Sequence, residues 1–183
     1  MANVISGTGT LTKLGAGTLT LSGLNSYSGT TTISAGVVRL GAAGDGTNSP
    51  LGTVAAGTVV ENGGELDLNG FSLSTAEPLS ITGAGVGAGS GALINSSATN
   101  VTFSGLLSLS GNATINGISG SINLSNTGII TGSGHTLTLT GGSNNSTQNQ
   151  LAGILGLGTG GLTLPDTGWS YVWTLSGANT YTG

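Results

Sequence analysis

Cysteine is absent from the 183-residue sequence, so neither disulfides nor thiolate metal sites are available to it. Charge is scarce: 4% of residues are Asp, Glu, Lys or Arg, against a usual share of about 25%. The formal charges are Lys13, Arg39, Asp45, Glu61, Glu65, Asp67, Glu77 and Asp166, for a net charge of -4. Two basic residues cannot neutralise a run of phosphates, which excludes nucleic acid as a partner. No apolar run reaches eighteen residues, so no membrane-spanning helix is expected. The opening MANVISGTG has neither a basic region nor an apolar core and does not read as a signal peptide.

What is present is glycine and small, branched or hydroxylated residues. Thirty-seven residues are Gly, about three times the average share. Gly interrupts nearly every window of ten, and each one inside a helix costs about 1 kcal/mol relative to Ala. A helical reading therefore fails along the whole chain. The 36% hydrophobic content still leaves something to bury.

The recurring unit is a short alternation closed by Gly, Asn or Asp: TLTLSG (18–23), GVVRLG (36–41), ELDLNG (65–70), SINLSN (121–126), TLTLTG (136–141) and GLTLPD (161–166). Leu19 and Leu21 share one face, as do Leu66 and Leu68, Ile122 and Leu124, Leu137 and Leu139, and Leu162 and Leu164. Period two with one apolar face is the pattern of a half-buried strand. A sandwich or barrel fits the spacing as well as a solenoid does. Three features favour the solenoid: few tight hairpin signals between the strands, outer faces that are small and hydroxylated, and internal self-similarity. The expected fold is all-β, a parallel β-solenoid forming a single domain over 1–183.

Self-similarity is clearest between Leu19–Gly29 and Trp173–Gly183. Thr20/Thr174, Leu21/Leu175, Ser22/Ser176, Gly23/Gly177, Asn25/Asn179, Tyr27/Tyr181 and Gly29/Gly183 are identical. In the first copy the phrase runs on into TTTISAGVVRL, which reads as further strand. The chain is therefore expected to be one unit or fragment of a longer repetitive chain or filament.

The run LTKLGAGTLTLSGLNSYSGTTTISAGVVRLG (11–41) resembles the strand repeat of bacterial autotransporter passenger domains. Lys13, Gly15, Gly17, Leu19, Leu21, Gly23, Asn25, Tyr27, Gly29, Thr31, Ile33 and Gly36 fill that pattern, and Leu175, Gly177, Asn179, Tyr181 and Gly183 return in the half copy. The resemblance implies a right-handed parallel β-helix, an extracellular or cell-surface location, and no catalysis in the repeat itself. At about twenty residues per coil, eight or nine coils are expected, in a rod near 40 Å long with uncapped ends.

Candidate chemistry is thin. Glu61, Glu65 and Asp67 form the one acidic cluster. Paired carboxylates could serve glycoside hydrolysis, but without basic or aromatic company they read as a solvated strand edge, and their spacing does not fit a calcium repeat. His135, in GSGHTLTLTG, has no acid nearby in sequence and reads as an exposed turn residue. GAGVGAGSG (83–91) is followed by no helix pattern, so it reads as a flexible corner and not a phosphate cradle. Sequon-like triplets at Asn95, Asn100, Asn112, Asn123, Asn144 and Asn145 suit ladders between coils as well as glycan acceptors. No catalytic, metal or cofactor residue is assigned, and no enzyme is expected.

Three functions are compatible with these features. The first is a structural unit assembling head to tail with copies of itself, with lateral bundling. The second is adhesion of a passenger segment to cells, surfaces or surface glycans. The third is ice binding by rows of Thr-x-Thr.

Overall fold

The computed structural model of the protein describes residues 3–141, 148–166 and 171–183. Among them there is no helix, and short strands wind into three parallel-stranded sides of a solenoid. Side I carries Ser6–Gly7, Ser26–Tyr27, Val101–Phe103, Ile122–Leu124, Gln148–Leu151 and Val172–Leu175, with Leu73 bridged to Phe103. Side II carries Leu11–Lys13, Thr31–Ile33, Thr58–Val60, Leu79–Gly83, the start of Leu107–Gly117, Ile129–Thr131 and Ile154–Gly156. Side III carries Thr18–Leu21, Gly36–Leu40, Gly64–Asp67, Leu93–Ile94, the end of Leu107–Gly117, Leu137–Gly141 and Leu162–Thr163. One antiparallel hairpin, Asn48–Ser49 with Gly52–Thr53, interrupts side I.

The parallel solenoid expected from the alternation is present, but with about seven turns and not eight or nine. Part of an eighth follows on side I, and on side II Thr180 N donates to Leu155 O at 3.0 Å. The count falls because turns vary in length. Register partners are 20 residues apart at Leu11 and Thr31, but 28 apart at Leu79 and Leu107. Excess residues leave as loops at the corners, and the strands keep their stacking. At about 4.8 Å each, seven turns stand about 34 Å tall.

The interior is built from aliphatic ladders. Leu73, Phe103, Leu124 and Leu151 stack on side I, and Val38, Leu66, Leu93, Ile115 and Leu139 on side III. All are buried, at about 1.5–3 kcal/mol apiece. A single turn has nothing to bury these side chains against, so stacking makes the core. At the ends the ladders open. Residues 3–10 are all exposed, Leu19 and Leu162 are half-buried, and Leu164 faces solvent.

Candidate functional site

The first motif copy occupies the first two turns and the corners between them. Lys13 is buried, and its Nζ donates to Leu14 O at 3.1 Å, Gly15 O at 2.6 Å and Ala35 O at 3.0 Å. The ammonium thus fills a corner lined by carbonyls and ties one turn to the next. Gly15 and Gly36 have φ of 72° and 71°, a left-handed conformation that Gly adopts without strain. A Cβ on Gly36 would also lie 2.7 Å from Lys13 Nζ and collide with the carbonyls of Gly15 and Gly17. Lys13, Gly36 and the carbonyls of Gly15 and Gly17 are therefore one device, a charged plug in a corner that admits no side chain at Gly36.

The second half of the motif stitches turns together. Gly23 sits where a Cβ would strike Asn3 O. Two residues on, buried Asn25 accepts from Ile5 N at 2.8 Å and donates to Pro50 O at 2.7 Å, reaching both neighbouring turns. Tyr27 is buried, and its hydroxyl pairs with Thr31 Oγ1, which donates to Leu51 O at 3.0 Å. Burial pushes the Tyr27 phenol above its ordinary range. Gly29 packs directly on Gly9 O.

In the second copy part of these contacts recurs. A Cβ on Gly177 would strike Gly153 O, and Asn179 Oδ1 accepts from Leu155 N at 2.9 Å. Gly183 packs on the carbonyls of Thr159 and Gly160. Yet the two copies occupy different sides. Thr18–Leu21 lies on side III and leads to side I, whereas Val172–Leu175 lies on side I and leads to side II. The phrase encodes a corner, not a face. Asn25→Ala leaves the buried Pro50 carbonyl and the Ile5 amide unpaired, so it is expected to cost about 1–3 kcal/mol. Asn179→Ala, at an exposed position, is expected to cost less than about 1 kcal/mol. Urea unfolding of the two variants checks the contrast.

The acidic cluster departs from the expected solvated edge. Glu61 is exposed, but Glu65 and Asp67 are buried. Asp67 accepts from Arg39 Nε at 2.9 Å, Ser96 Oγ at 2.7 Å and Asn69 N at 2.9 Å. Glu65 accepts from the Ser90 hydroxyl and, at 3.5 Å, from Val86 N. The 83–91 segment, expected as a free corner, lies over the outer face of side III and covers Glu65. Period two put these carboxylates on the outward face but could not reveal the flap above it. Both acids are engaged as acceptors inside the fold, not presented to a cleft.

Glu77 was not singled out by its sequence context. It is buried at the corner between sides I and II, with Oε1 accepting from Thr58 Oγ1 at 3.0 Å and Oε2 without a partner. Burial raises its pKa from 4.5 to about 7, against the opposing hydrogen bond from Thr58. The signal available was TAEPL (75–79), an acid held between residues that alternate inward.

His135 sits in a turn as expected, though half-buried, its backbone N donating to Gly132 O at 2.9 Å. Among the described strands no Asn stacks on another Asn, so the expected ladders are absent, and single asparagines bridge neighbouring turns instead. Asn95 is enclosed, joining Gly70, Thr99 and Ser121, which removes it as a glycan acceptor. Asn100 accepts from Ser121 N and Asn112 from Thr136 N, each at 2.9 Å. Asn123 has its amide turned out, and Asn144 and Asn145 lie outside the described residues. The Thr-x-Thr stretches at 17–22 and 136–140 share side III but are separated by the turns bearing Arg39 and Asp67.

The family model described as passenger-associated-transport-repeat matches residues 11–40 and 172–183. These are the full first copy of the motif and the half copy that returns at the second, so both stretches are similar to the repeat of autotransporter passengers. No curated protein and no solved structure matches the chain.

Proposed function

We propose that this chain is a structural segment of an extracellular or cell-surface rod, non-catalytic, whose two ends receive further solenoid turns. The observation that carries this reading is the state of those ends. The first turn presents a strand edge with Val4, Ile5 and Leu14 exposed, Leu14 at 70%. At the other end the inward rows stop at Leu175 and Leu162, both half-buried, and Leu164, just past its strand, is 49% exposed. Parallel edges and apolar ladders left open together form a surface that another turn completes. Such a contact is heterologous, so it grows into a filament and does not close into a dimer. The low charge leaves little repulsion between rods.

Electron microscopy and sedimentation of the purified chain test this. Rods longer than about 34 Å, growing with concentration, are expected. Ile5→Lys with Leu14→Lys is expected to shorten them without changing the fold. Single particles of unchanging size over a wide concentration range would refute end-to-end assembly.

A further inference from the structure

A concave groove of about 380 Å³ lies on side I across its fifth to seventh turns. It is lined by Asn100, Thr102, Ser121, Asn123, Gln148 and Gln150. The strand register sorts these residues into two rails along the rod axis. Asn123 lies between Thr102 and Gln150. The flanking rail, two residues earlier in each strand, is Asn100, Ser121 and Gln148. Steps along a rail are about 4.8 Å, and the rails stand about 7 Å apart. Among the described residues, the side-chain amides of Asn123, Gln148 and Gln150 have no hydrogen-bond partner, and both glutamines are exposed. Asn100 instead uses its oxygen to hold Ser121 N, fixing the groove wall.

We propose that this groove binds a short neutral carbohydrate. The chain carries no formal charge from Pro78 to Pro165, so an ionic ligand would shed its hydration without finding a counter-charge. The lining has one apolar member, Val101, itself buried, which leaves nothing for an apolar ligand to displace water from. What remains is amide and hydroxyl groups that donate and accept side by side. A sugar hydroxyl does both as well, and a chain of sugar rings repeats such groups along one direction, as the rails do. The volume falls in the range of small-ligand sites and is too small for a folded partner. Absence of an aromatic wall makes each site weak, and repetition of chains along a rod would add avidity. This inference concerns a lateral face and does not rest on the assembly of the ends.

The test is an NMR titration of the full chain with neutral oligosaccharides, uronate-bearing oligosaccharides and no sugar. Neutral probes are expected to shift amide signals of residues 100–102, 121–123 and 148–150, and charged ones to leave them in place. Asn123→Ala with Gln150→Ala removes outward amides that bond nothing in the fold, so melting is expected to be unchanged while the apparent affinity falls at least about tenfold, the equivalent of ~1.4 kcal/mol. Three results would each overturn the proposal. These are no shift with any neutral probe, equal shifts with charged probes, or shifts that survive the double variant. Concentration-dependent broadening of the same signals without sugar would assign the groove to a second copy of the chain instead.

Discussion

Raising the pH from 5 to 8 is expected to lower the unfolding free energy of this protein by about 2.5 kcal/mol through one side chain. Glu77 is held in the fold with its pKa raised from 4.5 to about 7 by burial. Below pH 4.5 the carboxyl is neutral in both folded and unfolded chains, and its full contribution is present. Between 4.5 and about 7 the unfolded chain gives up the proton and the folded chain keeps it, so the balance moves toward unfolding. Above that window the folded state must hold a buried carboxylate, and the contribution is gone. The Tyr27 phenol, raised first by burial and also by the Glu77 charge, stays neutral throughout the window. Glu77→Gln keeps an acceptor for Thr58 and cannot ionise. It is expected to match the parent at pH 5 and exceed it at pH 8, with a flat profile between. Urea titrations at four pH values would show this. A profile that falls as steeply in the variant as in the parent would remove Glu77 from the account.

Leu66→Ala is expected to cost about 2–5 kcal/mol, the range for emptying a closed aliphatic site. Leu66 is fully buried between Val38 and Leu93, with turns above and below to hold the cavity open. Each turn of a solenoid touches its neighbours alone. The damage should therefore appear as faster amide exchange in turns two to four, with protection elsewhere retained. Leu175→Ala, at a half-buried place on the last described strand, is expected to cost less than half as much. Equal penalties at the two positions would contradict a core built by stacking.

The inward faces were legible because alternation reports them directly. Leu66 and Leu68, Ile122 and Leu124, and Leu137 and Leu139 all point into the column as read. Leu162 and Leu164 share the pattern but not the burial, because nothing among the described residues covers them there. What covers an outer face was not legible: Glu65 and Asp67 look like solvated acids in ELDLNG, and a flap 20 residues away buries one of them. Turn length was hidden for the same reason, since Gly-rich corners absorb extra residues without marking how many. The motif residues were found, but not their tasks. Lys13 as a plug among carbonyls, and Asn25 as a clasp on two turns, depend on what the preceding turn presents. The shift of the second copy to another side follows: the phrase specifies its relation to the turn before it, and any corner with a suitable carbonyl will accept it.

In this molecule the ladder bonds between turns run along the long axis. Tension applied to the two ends would therefore pull on them one row at a time, like peeling tape, instead of loading all of them in parallel. A terminal turn would detach before an inner one, and the rod would lengthen in steps. Turns of 19 to 30 residues would each release about 65 to 105 Å of extended chain. A tether built this way would yield gradually under flow and rewind when slack.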